Sequence, residues 1–209
     1  MLNIGPEQII LIGFFLLIGF PVHEFAHAFA AYQLGDGTAK LFGRLTLNPI
    51  AHFDPLGAGM LVISVLFGGG LIIGWAKPTP VNTANLRDRR NGEVIVSLAG
   101  PASNLIMASI GAFVFRLAFT PDTTVPYQVL NLLLLFVLYN VALTVFNLIP
   151  VPPLDGSTLL FRFVSPQTAW RLRPVLAQYG LFVLLAIVLF GGQLIGGVII
   201  DATYRLVGL

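Results

Sequence analysis

Residues 6–34 read Pro6-Glu7-Gln8-Ile9-Ile10-Leu11-Ile12-Gly13-Phe14-Phe15-Leu16-Leu17-Ile18-Gly19-Phe20-Pro21-Val22-His23-Glu24-Phe25-Ala26-His27-Ala28-Phe29-Ala30-Ala31-Tyr32-Gln33-Leu34. This apolar run is longer than the roughly 20 residues that cross a hydrocarbon core at about 1.5 Å per residue, so it can span a bilayer with some tilt. Two histidines and a glutamate sit deep inside it. A helix brings positions i and i+4 onto one face, one turn apart, so His23 and His27 can share one metal ion. Glu24 is then close enough to reach a metal-bound water, the arrangement of a metallopeptidase general base in His-Glu-x-x-His. A short motif of this kind also arises by accident, and an intramembrane histidine can serve only as a hydrogen-bond partner. Accident is a poor account here. The chain has three histidines in all, and a carboxylate in hydrocarbon costs about 2.5 to 3.5 kcal/mol on the insertion scale for Asp.

The rest of the chain has the same solvent. Of 209 residues 56% are hydrophobic and 10% charged, and the mean hydropathy is +0.89, far from the roughly 25% charged residues of soluble domains. Further apolar segments lie at about 94–119, 127–149 and 179–206, so a cleaved signal ahead of a soluble body does not explain the first one. Leu56 to Trp75 is apolar but interrupted by Gly57, Gly59, Gly68, Gly69, Gly70 and Gly74. It reads either as a thin spanning helix or as a re-entrant element. Between Gly35 and Pro55 the sequence is mixed, and the alternation of Leu41-Phe42-Gly43-Arg44-Leu45-Thr46-Leu47 suggests a short strand. The expected architecture is an all-α polytopic membrane protein of four to five transmembrane helices, with a small membrane-associated β element or re-entrant segment. Residues 1–209 read as a single domain, with a catalytic core over about 6–165 and a last transmembrane helix over about 176–206.

Basic residues orient the chain, because cytoplasmic loops are enriched in Lys and Arg. With the amino terminus outside and 56–75 re-entrant, Lys40, Arg44, Lys77, Arg87, Arg89, Arg90, Arg162, Arg171 and Arg173 all fall on the cytoplasmic side, nine of the 11 basic residues. If 56–75 spans, its basic flanks separate and the bias weakens. Cysteine is absent, which removes disulfides, thiolate ligands and a thiol nucleophile. A net charge of +2 without a basic, aromatic-interleaved stretch argues against nucleic acid.

A catalytic zinc takes three protein ligands and keeps one position open. With no cysteine, the carboxylate candidate for the third ligand is Asp155, in Asn147-Leu148-Ile149-Pro150-Val151-Pro152-Pro153-Leu154-Asp155-Gly156. Three prolines end the preceding apolar segment there and predict extended backbone. Taken alone, Asp155 before Gly156-Ser157-Thr158 reads equally well as a helix cap. His52 and Asp54, in a loop, could approach the metal, although a loop histidine is more often a hydrogen-bond partner.

His23-Glu24-Phe25-Ala26-His27, Gly100-Pro101-Ala102-Ser103-Asn104 and Asn147 through Gly156 occur in order and spacing that resemble the site-2 protease family of intramembrane zinc metalloproteases, peptidase family M50. Residues 45–57 and 74–82 resemble a compact bacterial and archaeal branch of it. The resemblance implies one zinc ion per chain, held by His23, His27 and Asp155, and a general base in Glu24. It implies that Asn147 positions the substrate carbonyl or stabilises the oxyanion, and that Asn104 orders the site. Asn140, seven residues before Asn147, shares its helix face and joins the polar pocket or packs against a partner helix. Thr120 to Pro126 is too short for a PDZ insertion and no CBS module is expected, so regulation would come from a partner chain. The implied activity is hydrolysis of peptide bonds within or near transmembrane segments of membrane-protein substrates, in a multi-pass cell-membrane protein whose active site lies near the cytoplasmic side. A small transporter or metal-binding channel is the competing class; it predicts polar residues spread over several spans. A catalytically dead relative ranks below both, because no motif residue is missing.

Overall fold

The structure is a computed structural model, which describes residue 13 and residues 15–67 and 76–209. Helix α1 (Phe20–Gln33) follows a π-helical turn at Phe15–Gly19; two short helices, α2 (Thr38–Leu41) and α3 (Pro49–His52), precede α4 (Pro55–Phe67). Then come α5 (Arg89–Ala118), α6 (Tyr127–Asn147), α7 (Gly156–Phe163) and α8 (Pro166–Val207). Three of these, α5, α6 and α8, are long and apolar enough to cross a membrane. Residues 6–12 and 14 of the expected first span and residues 68–75 of the glycine-rich segment lie outside the described residues.

Helix α5 is the centre of the molecule, with α1 and α6 packed against it. Small residues allow this. Ala108 and Ala112 are buried against Val137 and Val141 of α6 and Val207 of α8, and a Cβ at Gly111 would lie 3.1 Å from Val137 Cγ2. Without a hydrophobic drive between helices in lipid, such close backbone approach supplies the packing contacts. By contrast, α8 buries only Gly180, Thr203 and Val207, and its middle turns expose Leu181, Phe182, Leu185, Leu189 and Phe190, apolar surface suited to lipid.

No strand occurs among the described residues, and the stretch expected to form one, Leu41 to Leu47, is a turn followed by bends. Gly43, with φ of +67°, closes the turn after α2, a left-handed conformation that glycine adopts without penalty. A strand needs a partner ladder, and here the backbone is otherwise engaged: Arg44 N–H donates to Ala39 O, and Thr46 O accepts from His52 Nε2 at 2.8 Å. Leu41 and Phe42 point outward, 88% and 70% exposed, so the alternation carried no buried face. The expected extended backbone before Asp155 is likewise a run of turns, with Val151 N–H donating to Ile149 O and Leu154 N–H to Val151 O.

One buried carboxylate organises the connection that crosses the top of α1. Asp36 is fully buried and accepts from the Thr38 N–H and hydroxyl, from Asn82 N–H at 2.7 Å and from Asn85 Nδ2 at 2.9 Å. Burial alone would raise its pKa, but these donors outweigh it and hold the carboxyl below the usual carboxylate range. Arg87 N–H completes the tie by donating to Leu34 O at 3.0 Å. Residues 76–82 are thereby held across α1, where they meet Glu24.

Candidate metal centre

His23 and His27 lie on the buried face of α1, against α5. Each ring is fixed through Nδ1. His23 Nδ1 donates to Asn104 Oδ1 at 2.6 Å, and His27 Nδ1 donates to Val96 O at 2.7 Å. Because both Nδ1 atoms carry the proton, both neutral Nε2 atoms present bare lone pairs, the tautomer that metal-bound histidines are held in by such partners. The two Nε2 atoms are 3.0 Å apart. Asp155 Oδ2 lies 3.4 Å from the one and 3.3 Å from the other, is buried, and has no hydrogen-bond donor.

Three lone-pair atoms in mutual contact repel one another unless a cation lies among them. Ligands about 2.0 Å from a tetrahedral zinc are about 3.3 Å from each other, close to the separations seen here. The nitrogen and oxygen donor set suits zinc as well. His23, His27 and Asp155 form the metal-competent cluster of the described residues. Asp155 occupies the N-cap position of α7, yet its side chain makes no capping bond. The helix-cap reading of this residue therefore does not describe it.

The supporting shell reaches across two helices. Asn104 Nδ2 donates to Asn140 Oδ1 at 3.1 Å, and Asn140 Nδ2 donates to Phe136 O at 2.8 Å. Asn104 and Asn140 are 0% and 1% exposed. This chain fixes the Asn104 amide so that its oxygen faces His23. Ser97 Oγ, on α5, donates to the Asp155 carbonyl at 2.8 Å, and Gly156 lets the loop close: a Cβ there would lie 2.6 Å from Ile149 O.

His23, Glu24, His27, Thr79, Asn147 and Asp155 line one cavity of about 270 Å³. Glu93 adds a third carboxylate, and no Lys or Arg lines it, so the cavity is electrostatically suited to a cation. Thr79 N–H donates to Glu24 Oε2 at 2.8 Å, and Thr79 Oγ1 to Glu24 O at 3.1 Å. Asn147 spends one N–H on Leu143 O at 3.1 Å and keeps a second. His52 stands apart from the cavity: it is buried, donates through Nε2 to Thr46 O, and pins the loop through its carbonyl, which accepts from Lys77 N–H at 2.9 Å. Asp54 caps α4 by accepting from Gly57 N–H at 2.8 Å.

Two participants had no assigned role in the sequence. Gly100 lies where α5 passes the imidazoles, and a Cβ there would press on His27 Nε2 and stand 2.6 Å from His23 Nε2. Its signal was present, since Gly100 and Asn104 are four apart on one helix face. Thr79 fell within the resembling stretch 74–82, but its contact with Glu24 was not foreseen, because its place depends on the distant Asp36 tie.

The sequence profile of Peptidase family M50 matches residues 117–191, which include Asn140, Asn147 and Asp155. A Bacillus subtilis (strain 168) protein named "Putative zinc metalloprotease YwhC" is 40% identical over 176 residues, covering 82% of this chain and 77% of that protein. The chain belongs to peptidase family M50. Two mycobacterial proteins named Rip2, also described as zinc metalloproteases by their names, extend the M50 relationship. The one from Mycobacterium tuberculosis (strain ATCC 25618 / H37Rv) is 34% identical over 194 residues, 92% of this chain and 71% of the relative. That from Mycolicibacterium smegmatis (strain ATCC 700084 / mc(2)155) is 32% identical over 174 residues, 83% and 64%. No solved structure matches the chain significantly.

Proposed function

We propose that this M50 peptidase is an intramembrane zinc endopeptidase that cleaves transmembrane segments of membrane-protein substrates near the cytoplasmic face. The observation that carries the reading is the convergence of two bare imidazole nitrogens and one donor-free carboxylate oxygen beside Glu24. His23, His27 and Asp155 are the ligands. A bound zinc ion polarises a carbonyl and lowers the pKa of a coordinated water towards about 7. Glu24 takes the proton of the attacking water on a carboxylate oxygen and returns it to the leaving amine nitrogen. The free N–H of Asn147 donates to the carbonyl oxygen as charge builds there. Asn104 and Asn140 keep His23 oriented.

The substrate helix must unwind to expose its amide. We assign to residues 76–82, which hydrogen-bond to Glu24 through Thr79, the holding of the unwound chain by backbone pairing. Four or five spans in the cell membrane, with the basic loops inside, accord with three membrane-length helices plus the partly described segments at 6–34 and 56–75. Regulation through a separate partner chain fits the same architecture. A transporter would string metal-ligating groups along a path, whereas His23, Glu24, His27 and Asp155 share one cavity.

The test is zinc content and cleavage of a reconstituted transmembrane substrate by the purified protein and by Glu24→Gln. Full zinc occupancy with cleavage lowered by 10²-fold or more is expected. Undiminished cleavage by Glu24→Gln would refute the mechanism.

A further inference from the structure

A second cavity, of about 230 Å³, adjoins the first and shares Glu93 and Thr158 with it, but its charge is opposite. Arg90, Arg162 and Arg173 line it, with Glu93 as the only carboxylate among the described residues and Phe161 and Val164 as apolar wall. Among the described residues the three guanidiniums make two hydrogen bonds, from Arg90 Nη2 to Arg162 O at 3.3 Å and from Arg162 Nη2 to Asn91 Oδ1 at 3.2 Å. Arg173 lies 3.6 Å from Glu93 Oε1 and stacks on the Phe161 ring at 4.7 Å. The three cations thus face Glu93, with Asp88 also acting electrostatically on Arg162, and among the described residues most of the guanidinium donors remain for a ligand with several acceptor oxygens.

The level of this bay in the membrane follows from α8. Its 42 residues extend about 63 Å at about 1.5 Å each, twice the hydrocarbon thickness of about 30 Å. Part of the helix therefore projects from the hydrocarbon, and the polar first turns, with Gln167, Arg171 and Arg173, place the amino-terminal part of that excess at or beyond the interface. Trp170 there is 79% exposed, and Phe163 at the end of α7 is 84% exposed. Amphipathic aromatics such as Trp170 concentrate at the headgroup level.

We propose that Arg90, Arg162 and Arg173 form a binding site for the phosphate of an anionic phospholipid headgroup, with Phe161, Val164 and the exposed Phe163 meeting the start of its acyl chains. Guanidinium forks suit phosphate oxygens, and basic pockets between helices on the cytoplasmic side are a recurrent setting for such lipids. The site rests on the membrane orientation given above, and its lipid-binding readout is independent of peptidase activity.

The experiment measures phosphatidylglycerol and phosphatidylcholine of equal chain length bound to the purified full chain, by native mass spectrometry from a mild detergent. Wild type should retain phosphatidylglycerol in preference. Each of Arg90→Gln, Arg162→Gln and Arg173→Gln should lower that affinity about fivefold, and the triple variant on the order of a hundredfold, as expected for a basic residue at an anionic surface. Zinc content of the same samples reports that the fold is intact, and the single variants carry the test if the triple one does not assemble. Equal binding of the two lipids, or unchanged phosphatidylglycerol binding in the variants, would overturn the proposal. So would inorganic phosphate binding as tightly as the lipid, which would make the occupant a free anion. Variants that keep the lipid but lose cleavage of substrates with acidic flanks would overturn it in favour of a substrate subsite.

Discussion

Gly100→Ala adds one methyl group at the point where α5 passes both imidazoles. The new carbon would stand 2.6 Å from His23 Nε2 and closer still to His27 Nε2, whereas ordinary contact begins at 3.4 Å. To reach 3.4 Å from 2.6 Å, His23 must retreat by about 0.8 Å, and His27 by more. Neither ring can do so freely, since Asn104 and the Val96 carbonyl hold their Nδ1 atoms. Metal sites tolerate ligand shifts of about 0.2 Å. Disturbing an outer partner of a ligand already costs about 10- to 100-fold in affinity, so displacing two ligands together should cost at least a hundredfold in zinc affinity. The measurement is competitive zinc titration against a chromophoric chelator, with far-ultraviolet circular dichroism to show that the helices persist. Native zinc affinity in a folded Gly100→Ala protein would refute the convergence of the two Nε2 atoms beside this residue.

Asp155→Ala should lose stoichiometric zinc on dialysis while keeping its helical content; full retention would remove Asp155 from the ligand set. Asn104→Ala frees the His23 ring and strands the Asn140 amide, and should weaken zinc binding about 10- to 100-fold, read by the same titration. Asp36→Asn replaces a carboxylate that accepts four hydrogen bonds in a buried site and should cost about 1 to 3 kcal/mol of stability, measured as loss of thermal stability in detergent. Because the folded-state pKa of Asp36 lies below its unfolded value, its contribution is present above about pH 4 and is lost as pH falls through the folded pKa. The thermal stability of the wild type should thus decline towards low pH over that range, and Asp36→Asn should flatten the decline.

The long helices were legible because length and apolarity alone decide them in a bilayer: α5 and α6 fall close to the apolar runs at 94–119 and 127–149. The start of α8 at Pro166 was not, since its first turns are polar and its Pro174 reads as a break; a proline is tolerated where the helix is otherwise sustained. The pair His23 and His27 was visible as a spacing, and Asp155 as the carboxylate candidate for a third ligand, with a helix cap as the equal alternative until the motif resemblance favoured the ligand. What fixes the site was not visible. The donation from His27 to the Val96 carbonyl, the reach of Thr79 to Glu24 and the relay from Asn140 through Asn104 are contacts between distant residues. The strand expected at 41–47 failed because alternation signals a sheet only where one face is buried.

The relay from Asn140 to His23 has a temporal meaning. Its members come from α1, α5 and α6, and Asp155 arrives only with the loop after α6. A nascent chain emerging amino terminus first holds His23 and His27 long before it holds their carboxylate partner. The donor set closes only once three other pieces of the chain, α1, α6 and the Asp155 loop, have docked around α5. An enzyme that cuts polypeptides inside the bilayer is in this way chemically inert throughout its own insertion, and metal capture marks the completion of its assembly.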